Sequence, residues 1–376
     1  MYYSLYFEEI AVLRIVFTID YELYGNGDGN SRKLIVNPTK RLLKLFDKFG
    51  AKLTIMAEVA QIYKFKEYRD TIGKDDYHYE AITEQLRRAV QTGHDVQLHV
   101  HPSYLNASHQ NGRWEQDWIE YNLSTLPYER IHAIVQKGKQ LLCELLTPVK
   151  PDYQCRYFHA ANWSMCPSEN IVKALLAHGF LIDTSVFKNG KRSGMIEFDY
   201  STAWSDCLPW PVDETEVNNR DLEGRLMEFP IYCEQRSLFD FISLNRFWQT
   251  WLGKRHSVLN VQKGYFNQEI RLSQCTSKFE KLCNLLNRKY PLKMDFNQCT
   301  GKQLIRGLES AWQKYGHLRV DVPFVLIGHS KSYNGINAIE VKRFLKYVTK
   351  HQDRFAFSTF HDFDLSAYRN DTFYSR

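Results

Sequence analysis

In four short segments of the sequence, an apolar run is followed or interrupted by residues of types that can bind metal ions or transfer protons. The first holds Asp20 and Glu22, two residues apart at the end of the apolar run Val12–Ile19. Alternate residues of a strand point to the same side, so both carboxylates can reach one metal ion or one water molecule. A capping or loop role is the other interpretation of this pair.

The second segment holds His99 and His101. If Val96–His101 is extended, both imidazoles lie on one face, the arrangement that two ligands of one divalent ion require. In a helix the two side chains would diverge by about 200°, but Pro102 disfavours a helix here. His94 has the opposite parity and lies in a turn, so we expect it to be structural.

The third segment places His329 at the end of the apolar run Val325–Ile327. A histidine titrates near neutral pH, so His329 can protonate a leaving group as a general acid. A hydrogen bond to the loop backbone is the alternative role. Ser330 lies in the string Gly-His-Ser-Lys-Ser, which is not a G-x-S-x-G nucleophile elbow, so serine hydrolase chemistry has no support.

In the fourth segment Arg156 interrupts the strand-like run Tyr153–Phe158. An unpaired buried charge is costly, so an arginine that lines a barrel needs a carboxylate partner. Asp20 is the partner that we expect.

The elements that must position these residues alternate along the chain. Short apolar runs take turns with longer amphipathic ones, a pattern that predicts a parallel sheet or barrel. The predicted strands are Val12–Ile19, Lys52–Met56, Val96–Val100, Tyr153–Phe158, Leu226–Ile231, Pro323–Ile327 and Arg354–Ser358. The predicted helices are Pro38–Phe49, Glu80–Gln91, Tyr128–Leu146, Ser168–Ala177 and Asn337–His351. Residues 188–320 break this rhythm and are interpreted as an insertion, loop-rich at first and mostly helical over Ser237–Gly316.

The order of these segments resembles the polysaccharide deacetylase superfamily (NodB-homology domain, carbohydrate esterase family 4), in particular its WbmS-like branch linked to surface-glycan synthesis. Six motifs of the family have counterparts in this chain, in the family's order. Thr18–Glu22 matches T-F-D-D, Gly93–His99 matches G-H-E-[IV]-x-x-H, and Arg156 with Ala160–Trp163 matches R-x-G-x-W. Asp183–Ser185 matches D-[ST]-S, Glu228–Pro230 matches E-[FIV]-P, and Leu326–His329 matches the terminal histidine motif. The matches run from Val12 to about Phe360.

The resemblance implies an α/β fold, a distorted (β/α)7 barrel of the polysaccharide deacetylase type in which residues 1–376 form a single domain with the large insertion at about 188–320. It also implies one divalent metal ion, with Zn²⁺ as the expected metal. The implied reaction is hydrolysis of an N- or O-acetyl group from a sugar, in surface-polysaccharide or O-antigen biosynthesis.

The family's roles transfer to residues of this chain that match its motifs. Asp20 would be the general base and Glu22 the metal-binding acid. His99 would be the first metal histidine, Arg156 would orient Asp20, and His329 would be the general acid.

Two departures separate the chain from the family pattern. Tyr21 replaces the usual second aspartate, which shifts the ligand role to Glu22. Ser103 stands where the second metal histidine is usual, so His101 must substitute for it. These changes keep two alternatives open. One is a catalytically degenerate barrel that binds a glycan or a biosynthetic partner, and the other is an enzyme that cleaves a different bond, such as a sugar formamide.

Charge and cysteine content narrow the partners and the compartment. The 49 lysine and arginine residues exceed the 43 acidic residues by six. This excess gives weak support for an anionic partner, such as a nucleotide-linked or lipid-phosphate-linked sugar or a membrane surface, and less for nucleic acid; a solvated surface also accounts for it. The eight cysteines form no C-x-x-C, and neither a secretion leader nor an apolar run of membrane-spanning length is recognised, so we expect a cytoplasmic protein with no transmembrane segment.

Overall fold

Seven parallel strands follow one another around a barrel in the computed structural model, which describes residues 12–110, 112–243, 246–247, 251 and 289–369. The strands are β1 Leu13–Tyr21, β2 Leu53–Glu58, β3 Asp95–Val100, β4 Ser108–Gln110, β5 Arg113–Glu115, β6 Tyr157–Ala160, β7 Ile182–Asp183, β8 Lys191–Arg192, β9 Phe198–Asp199, β10 Trp210–Pro211, β11 Met227–Glu228, β12 Cys233–Arg236, β13 Tyr290–Lys293, β14 Val322–His329 and β15 Phe355–Ser358. The helices are α1 Asn37–Asp47, α2 Val59–Ile72, α3 Tyr79–Gln91, α4 Tyr128–Leu146, α5 Glu169–Ala177, α6 Gly301–Tyr315 and α7 Gly335–Lys350.

The main sheet has the order β10-β11-β7-β6-β3-β2-β1-β14, and β15 pairs with the first half of β1. In this order, every neighbouring pair from β11 through β7, β6, β3, β2 and β1 to β14 is parallel, whereas β10 pairs antiparallel with β11. Ile231, just after β11, forms a parallel bridge with Val325 of β14, and Asp295 forms another with Ile327. These bridges bring the β11 side of the sheet to its β14 edge and close the barrel.

Two apolar layers separate the barrel interior from the helices outside it. Val16, Met56 and Ile327 belong to the interior cluster. Phe17, with the opposite parity in β1, packs outside against Phe46 of α1, with ring centroids 4.6 Å apart. Because side chains alternate along a strand, the parity that buries Val16 inside also points Asp20 into the barrel.

Helix signals in the sequence explain where the outer elements begin and end. α1 begins at Asn37 with a proline in its first turn, and Gly50 follows it with a positive φ of 67°. α7 begins with a capping box in which the Asn334 side chain accepts hydrogen bonds from Ile336 and Asn337. Asn334 follows β14 closely, so this cap fixes the turn between the end of that strand and its helix.

The predicted α/β barrel is confirmed, and the element bounds differ at two places that matter for chemistry. β1 extends to Tyr21 and so includes Asp20. β6 spans Tyr157–Ala160, whereas the sequence predicted a strand over Tyr153–Phe158, so Arg156 precedes the strand and His159 lies within it.

The range 188–320, interpreted above as an insertion, supplies several described elements. β10 and β11 join the main sheet, and α6 packs against α7. The predicted helical piece Ser237–Gly316 is described at its two ends; residues 252–288 within it lie outside the described residues. No helix in the described part of the chain is both long enough and apolar enough to cross a membrane.

Candidate metal centre

The seven parallel strands of the barrel place polar side chains at or next to their carboxyl ends, the end at which α/β barrels carry their active sites. These residues are Asp20 and Glu22 from β1 and its continuation, Glu58 from β2, His99 and His101 from β3 and its continuation, His159 from β6, Asp183 from β7, Glu228 from β11 and His329 from β14. All except His329 are buried. The alternation that packs the barrel interior therefore also gathers carboxylates and imidazoles at one end.

Four of these side chains, Glu22, Glu58, His99 and His101, lie close enough together to hold one metal ion. The Nε2 atoms of His101 and His99 lie 2.8 and 3.4 Å from Glu22 Oε2, and His99 Nε2 lies 4.0 Å from Glu58 Oε2. Two imidazoles and two carboxylates form a donor set typical of divalent transition metals such as Zn²⁺. The structure thus brings the three predicted ligands Glu22, His99 and His101 together and adds Glu58.

A second group surrounds Asp20. Its Oδ1 atom lies 3.5 Å from His159 Nε2, and its Oδ2 atom lies 3.2 Å from His329 Nε2. Asp20, His99 and His159 also satisfy the spacing of a metal site, so the two groups share His99. Asp20, the expected general base, and His329, the expected general acid, are therefore in contact, at a distance over which a proton can pass between them.

The hydrogen bonds of two imidazoles determine which ring nitrogen faces the site. His99 Nδ1 lies 2.8 Å from the backbone oxygen of His159, and His159 Nδ1 lies 2.6 Å from that of Thr184. A carbonyl oxygen only accepts, so both Nδ1 atoms donate, and in the neutral ring Nε2 keeps its lone pair. Both Nε2 atoms, together with Asp20 Oδ1, are buried and have no hydrogen-bond partner within the described residues. These inward-facing atoms fit a divalent ion.

The charges of the site shift the pKa values of its members. Burial by itself would raise the pKa of Asp20, but the nearby imidazoles of His159, His99 and His329 outweigh it and hold the pKa below its ordinary value. Burial would lower the pKa of His99, but Asp20 and Glu22 raise it to about 10. Burial lowers the pKa of His159 to about 4. The carboxylates of the centre thus favour a positive charge beside them, which either a proton on His99 or a metal ion at its Nε2 atom supplies.

Lys331 supplies a second cation at Glu22. Burial would raise the pKa of Glu22, but Lys331 and His101 hold it well below its ordinary value. The Lys331 ammonium donates to Glu22 Oε1 at 2.5 Å and to the backbone oxygen of Leu23 at 3.1 Å. One oxygen of Glu22 therefore faces a lysine, and the other faces the two imidazoles.

The structure does not bring Arg156 to Asp20. The ion-pair partners of Asp20 among the described residues are His159 and His329. Arg156 precedes β6 and has the opposite parity to His159, so it does not share the inward face that carries the imidazole. His159, three residues later, occupies the place expected for the arginine.

Glu58 and His159 are the members of the centre that the motif analysis missed. Each had a signal in the sequence, since Glu58 follows the apolar run Leu53–Ala57 and His159 follows the aromatic pair Tyr157 and Phe158. Neither residue belongs to a family motif, so only the strand register in the structure identifies them as members of the centre.

The two remaining family motifs form a buried acid pair beside the centre. Burial raises the pKa of both Asp183 and Glu228, and for Glu228 the charge of Asp183 raises it further. Glu228 Oε1 accepts from the Val186 backbone at 3.0 Å, and Asp183 Oδ1 accepts from the Ser185 hydroxyl at 2.7 Å. These bonds fix the segment whose Thr184 carbonyl holds His159.

Comparison with solved structures finds similar folds at low identity. A 4-alpha-glucanotransferase of Thermococcus litoralis has a TM-score of 0.51 at 12% identity, over 94% of this chain and 40% of that one. A protein of Mycobacterium smegmatis assigned as a polysaccharide deacetylase has a TM-score of 0.49 at 15% identity, over 93% and 88%. PuuE allantoinase has a TM-score of 0.48 at 13% identity, over 94% and 89%.

These similarities bear on the fold alone. No protein-family model matches the sequence, and comparison with curated proteins finds no similar sequence. A protein assigned as a polysaccharide deacetylase is among the similar structures. The WbmS-like branch stays a prediction.

Proposed function

We propose that the protein is a metal-dependent hydrolase that removes an N- or O-acetyl group from a sugar. The observation that carries the proposal is the convergence of buried carboxylates and imidazoles at the carboxyl end of the barrel, where Asp20 Oδ1, His99 Nε2 and His159 Nε2 face inward without a hydrogen-bond partner among the described residues. Buried polar atoms are normally hydrogen-bonded, so three such atoms around one point indicate a bound ion or substrate.

In this proposal Glu22, His99 and His101 hold the metal ion, and Glu58 lies within reach as a fourth ligand. A bound Zn²⁺ would polarise the acyl carbonyl and lower the pKa of a coordinated water. The backbone bond from His99 Nδ1 fixes the ring so that Nε2 faces the ion.

Asp20 and His329 move the protons. Asp20 takes a proton from the water that attacks the acyl carbon, and His329 gives a proton to the sugar nitrogen or oxygen as its bond to that carbon breaks. The products are acetate and the free amine or hydroxyl. The 3.2 Å contact between Asp20 Oδ2 and His329 Nε2 lets the proton return to the histidine after each turnover. In place of the expected Arg156, His159 positions Asp20.

The substrate that we propose is an acetylated sugar carried on a nucleotide or lipid phosphate. It would be an intermediate of surface-polysaccharide or O-antigen synthesis made in the cytoplasm. The net charge of +6 supports an anionic carrier.

The role assignment is tested by acetate release from acetylated sugars. Asp20→Asn and His329→Ala should each lower turnover by about 10²–10⁴-fold, the usual contribution of a general acid or base. His317→Ala removes an exposed imidazole and should leave turnover unchanged, which makes it the matched control. Wild-type turnover in both site variants would refute the roles of Asp20 and His329. If formate is released where acetate is not, the bond is a formamide.

Metal content of the purified protein tests the ligand set. The double variant His99→Ala/His101→Ala and the single variant His101→Ala should both lose the metal, whereas His159→Ala should keep it. The reverse result, metal lost with His159→Ala and kept with His101→Ala, would assign the ion to Asp20, His99 and His159 instead.

A binding protein that has lost catalysis is the second candidate, and the contact of Lys331 with Glu22 favours it. A lysine ammonium on a ligand carboxylate supplies the positive charge that a metal would otherwise provide. Metal-free protein that retains glycan binding would support this candidate. Stoichiometric metal that disappears in His99→Ala/His101→Ala would exclude it.

A further inference from the structure

A row of unpaired cations lies on the outer surface of the barrel, on two helices that flank β14 and β1. We call it the basic ridge; it consists of Arg41, Lys44 and Lys48 on and just after α1, and Lys342, Lys346 and Lys350 on α7. All six side chains are exposed. Within the ranges that the structure describes, none lies within ion-pair distance of a carboxylate.

Helix geometry explains why these charges lie together. Residues four apart lie on one face of a helix, so Lys342, Lys346 and Lys350 form one row on α7, and Lys44 and Lys48 form another on α1. The two helices pack side by side, and a groove of about 410 Å³ between them is lined by members of both rows. A second groove, of about 480 Å³, follows the other side of α7 and is lined by the α7 lysines and Arg343.

The basic ridge concentrates six formal positive charges on one surface. The acidic side chains of the same two helices face other partners, since Asp47 pairs with His94 and Glu340 pairs with Arg343. A local cluster of cations favours an anionic partner at that surface.

Exposed apolar side chains next to the basic ridge favour a lipid bilayer over a nucleic acid as the anionic partner. Ile336 and Ile339 lie on α7 beside the lysines and are 49% and 62% exposed. Ile339 lines both grooves. A bilayer offers phosphate groups to the lysines and an apolar layer just beneath them to the isoleucines, whereas a nucleic acid backbone offers no place for an isoleucine.

We propose that the basic ridge is a docking surface for an anionic phospholipid bilayer. The lysines and arginine lie against lipid phosphates, and the two isoleucines enter the boundary between headgroups and acyl chains. α7 begins six residues after His329, so the surface and the candidate metal centre are joined by one short turn. The proposal rests on the surface alone and holds for either candidate function of the centre.

Binding to vesicles tests the proposal directly. The full chain should sediment with vesicles of equal parts phosphatidylcholine and phosphatidylglycerol, and should remain in the supernatant with phosphatidylcholine alone. A basic residue near an anionic surface contributes about 1 kcal/mol, or about fivefold in partitioning, so Lys342→Gln/Lys346→Gln/Lys350→Gln should weaken binding about a hundredfold. Glutamine is a good helix former, so α7 should persist.

Two further variants separate the parts of the surface. Lys74→Gln/Lys137→Gln/Lys173→Gln removes the same charge from the turn after α2, from α4 and from α5, and should bind vesicles like the wild type. Ile336→Ser/Ile339→Ser keeps every charge and should weaken binding several-fold. Circular dichroism confirms that each variant is folded.

Four outcomes would overturn the proposal. The first is equal binding to both kinds of vesicle, or none to either. The second is an equal loss in the control triple variant, which would make net charge the cause. The third is release from the vesicles by glycerol phosphate at a matched phosphate concentration, which would assign the ridge to a soluble phosphate compound. The fourth is binding to duplex RNA that the ridge variant loses while its vesicle binding persists, which would assign the ridge to a nucleic acid.

Discussion

Gly328→Ala tests how the end of β14 is positioned. A Cβ at Gly328 would lie 2.2, 2.4 and 2.7 Å from three ring atoms of Phe296. Carbon atoms pack at about 3.5–4.0 Å, so the ring would have to retreat by more than about 1 Å. Phe296 is fully buried and contacts Phe17, with ring centroids 5.8 Å apart, so it has little space in which to move.

The expected cost follows from two opposing effects. Replacing glycine by alanine in a strand normally stabilises a protein by about 0.5–1 kcal/mol, whereas overpacking a core costs about 1–3 kcal/mol. We therefore expect Gly328→Ala to lower the free energy of unfolding by roughly 1–2 kcal/mol, the opposite sign to an open site. Gly335→Ala, where nothing lies within 4 Å of the added Cβ, is the matched control and should be neutral or slightly stabilising.

The displacement should also reach the candidate metal centre. Asn297, adjacent to Phe296, accepts a hydrogen bond from the His329 backbone at 2.5 Å. A shift of about 1 Å in a catalytic group can cost on the order of 10²-fold in rate, so acetate release should fall together with stability.

Urea unfolding and a double-mutant cycle with Phe296→Leu measure this coupling. The smaller side chain should relieve the clash, so the double variant should be more stable than the sum of the single changes by at least about 0.5 kcal/mol. Strict additivity, or a Gly328→Ala variant as stable as Gly335→Ala, would refute the packing argument.

Three further predictions concern charge and capping. Burial raises the folded-state pKa of Glu228 above its unfolded value, so the folded protein binds more protons and its stability should fall as pH rises above the ordinary carboxyl range. Glu228→Gln, which mimics the protonated form beside Asp183, should flatten that slope in urea unfolding between about pH 5 and pH 8. Identical slopes would contradict the raised pKa of Glu228. Lys331→Met leaves the buried carboxylate of Glu22 without its ammonium partner. In thermal unfolding, the variant should lose about 3–5 kcal/mol of stability in chelator-treated protein and less with added Zn²⁺. Equal losses of stability in both states would show that the metal and the lysine do not act on the same carboxylate. Asn334→Ala removes the cap of α7 and should cost about 1 kcal/mol, with Asn334→Ser recovering most of it; no recovery would show that the side-chain cap is not the cause.

The sequence by itself determined the fold class and most members of the centre. Alternating apolar and amphipathic runs specify a parallel barrel, because each strand must bury both faces and each helix one. Parity then places Asp20 with Glu22, and His99 with His101, each pair on one side of its strand. Those inferences need only local geometry, which the chain carries residue by residue.

Only the tertiary structure decided which strands meet and how far each one extends. β6 begins at Tyr157, four residues later than predicted, so Arg156 precedes the strand and His159 within it is the neighbour of Asp20. No local pattern distinguishes the two. Glu58 joins the centre because β2 lies between β1 and β3, and Lys331 reaches Glu22 because β14 pairs with β1. Contacts of this kind depend on strand order and register between segments far apart in the chain, and packing of the whole barrel fixes both.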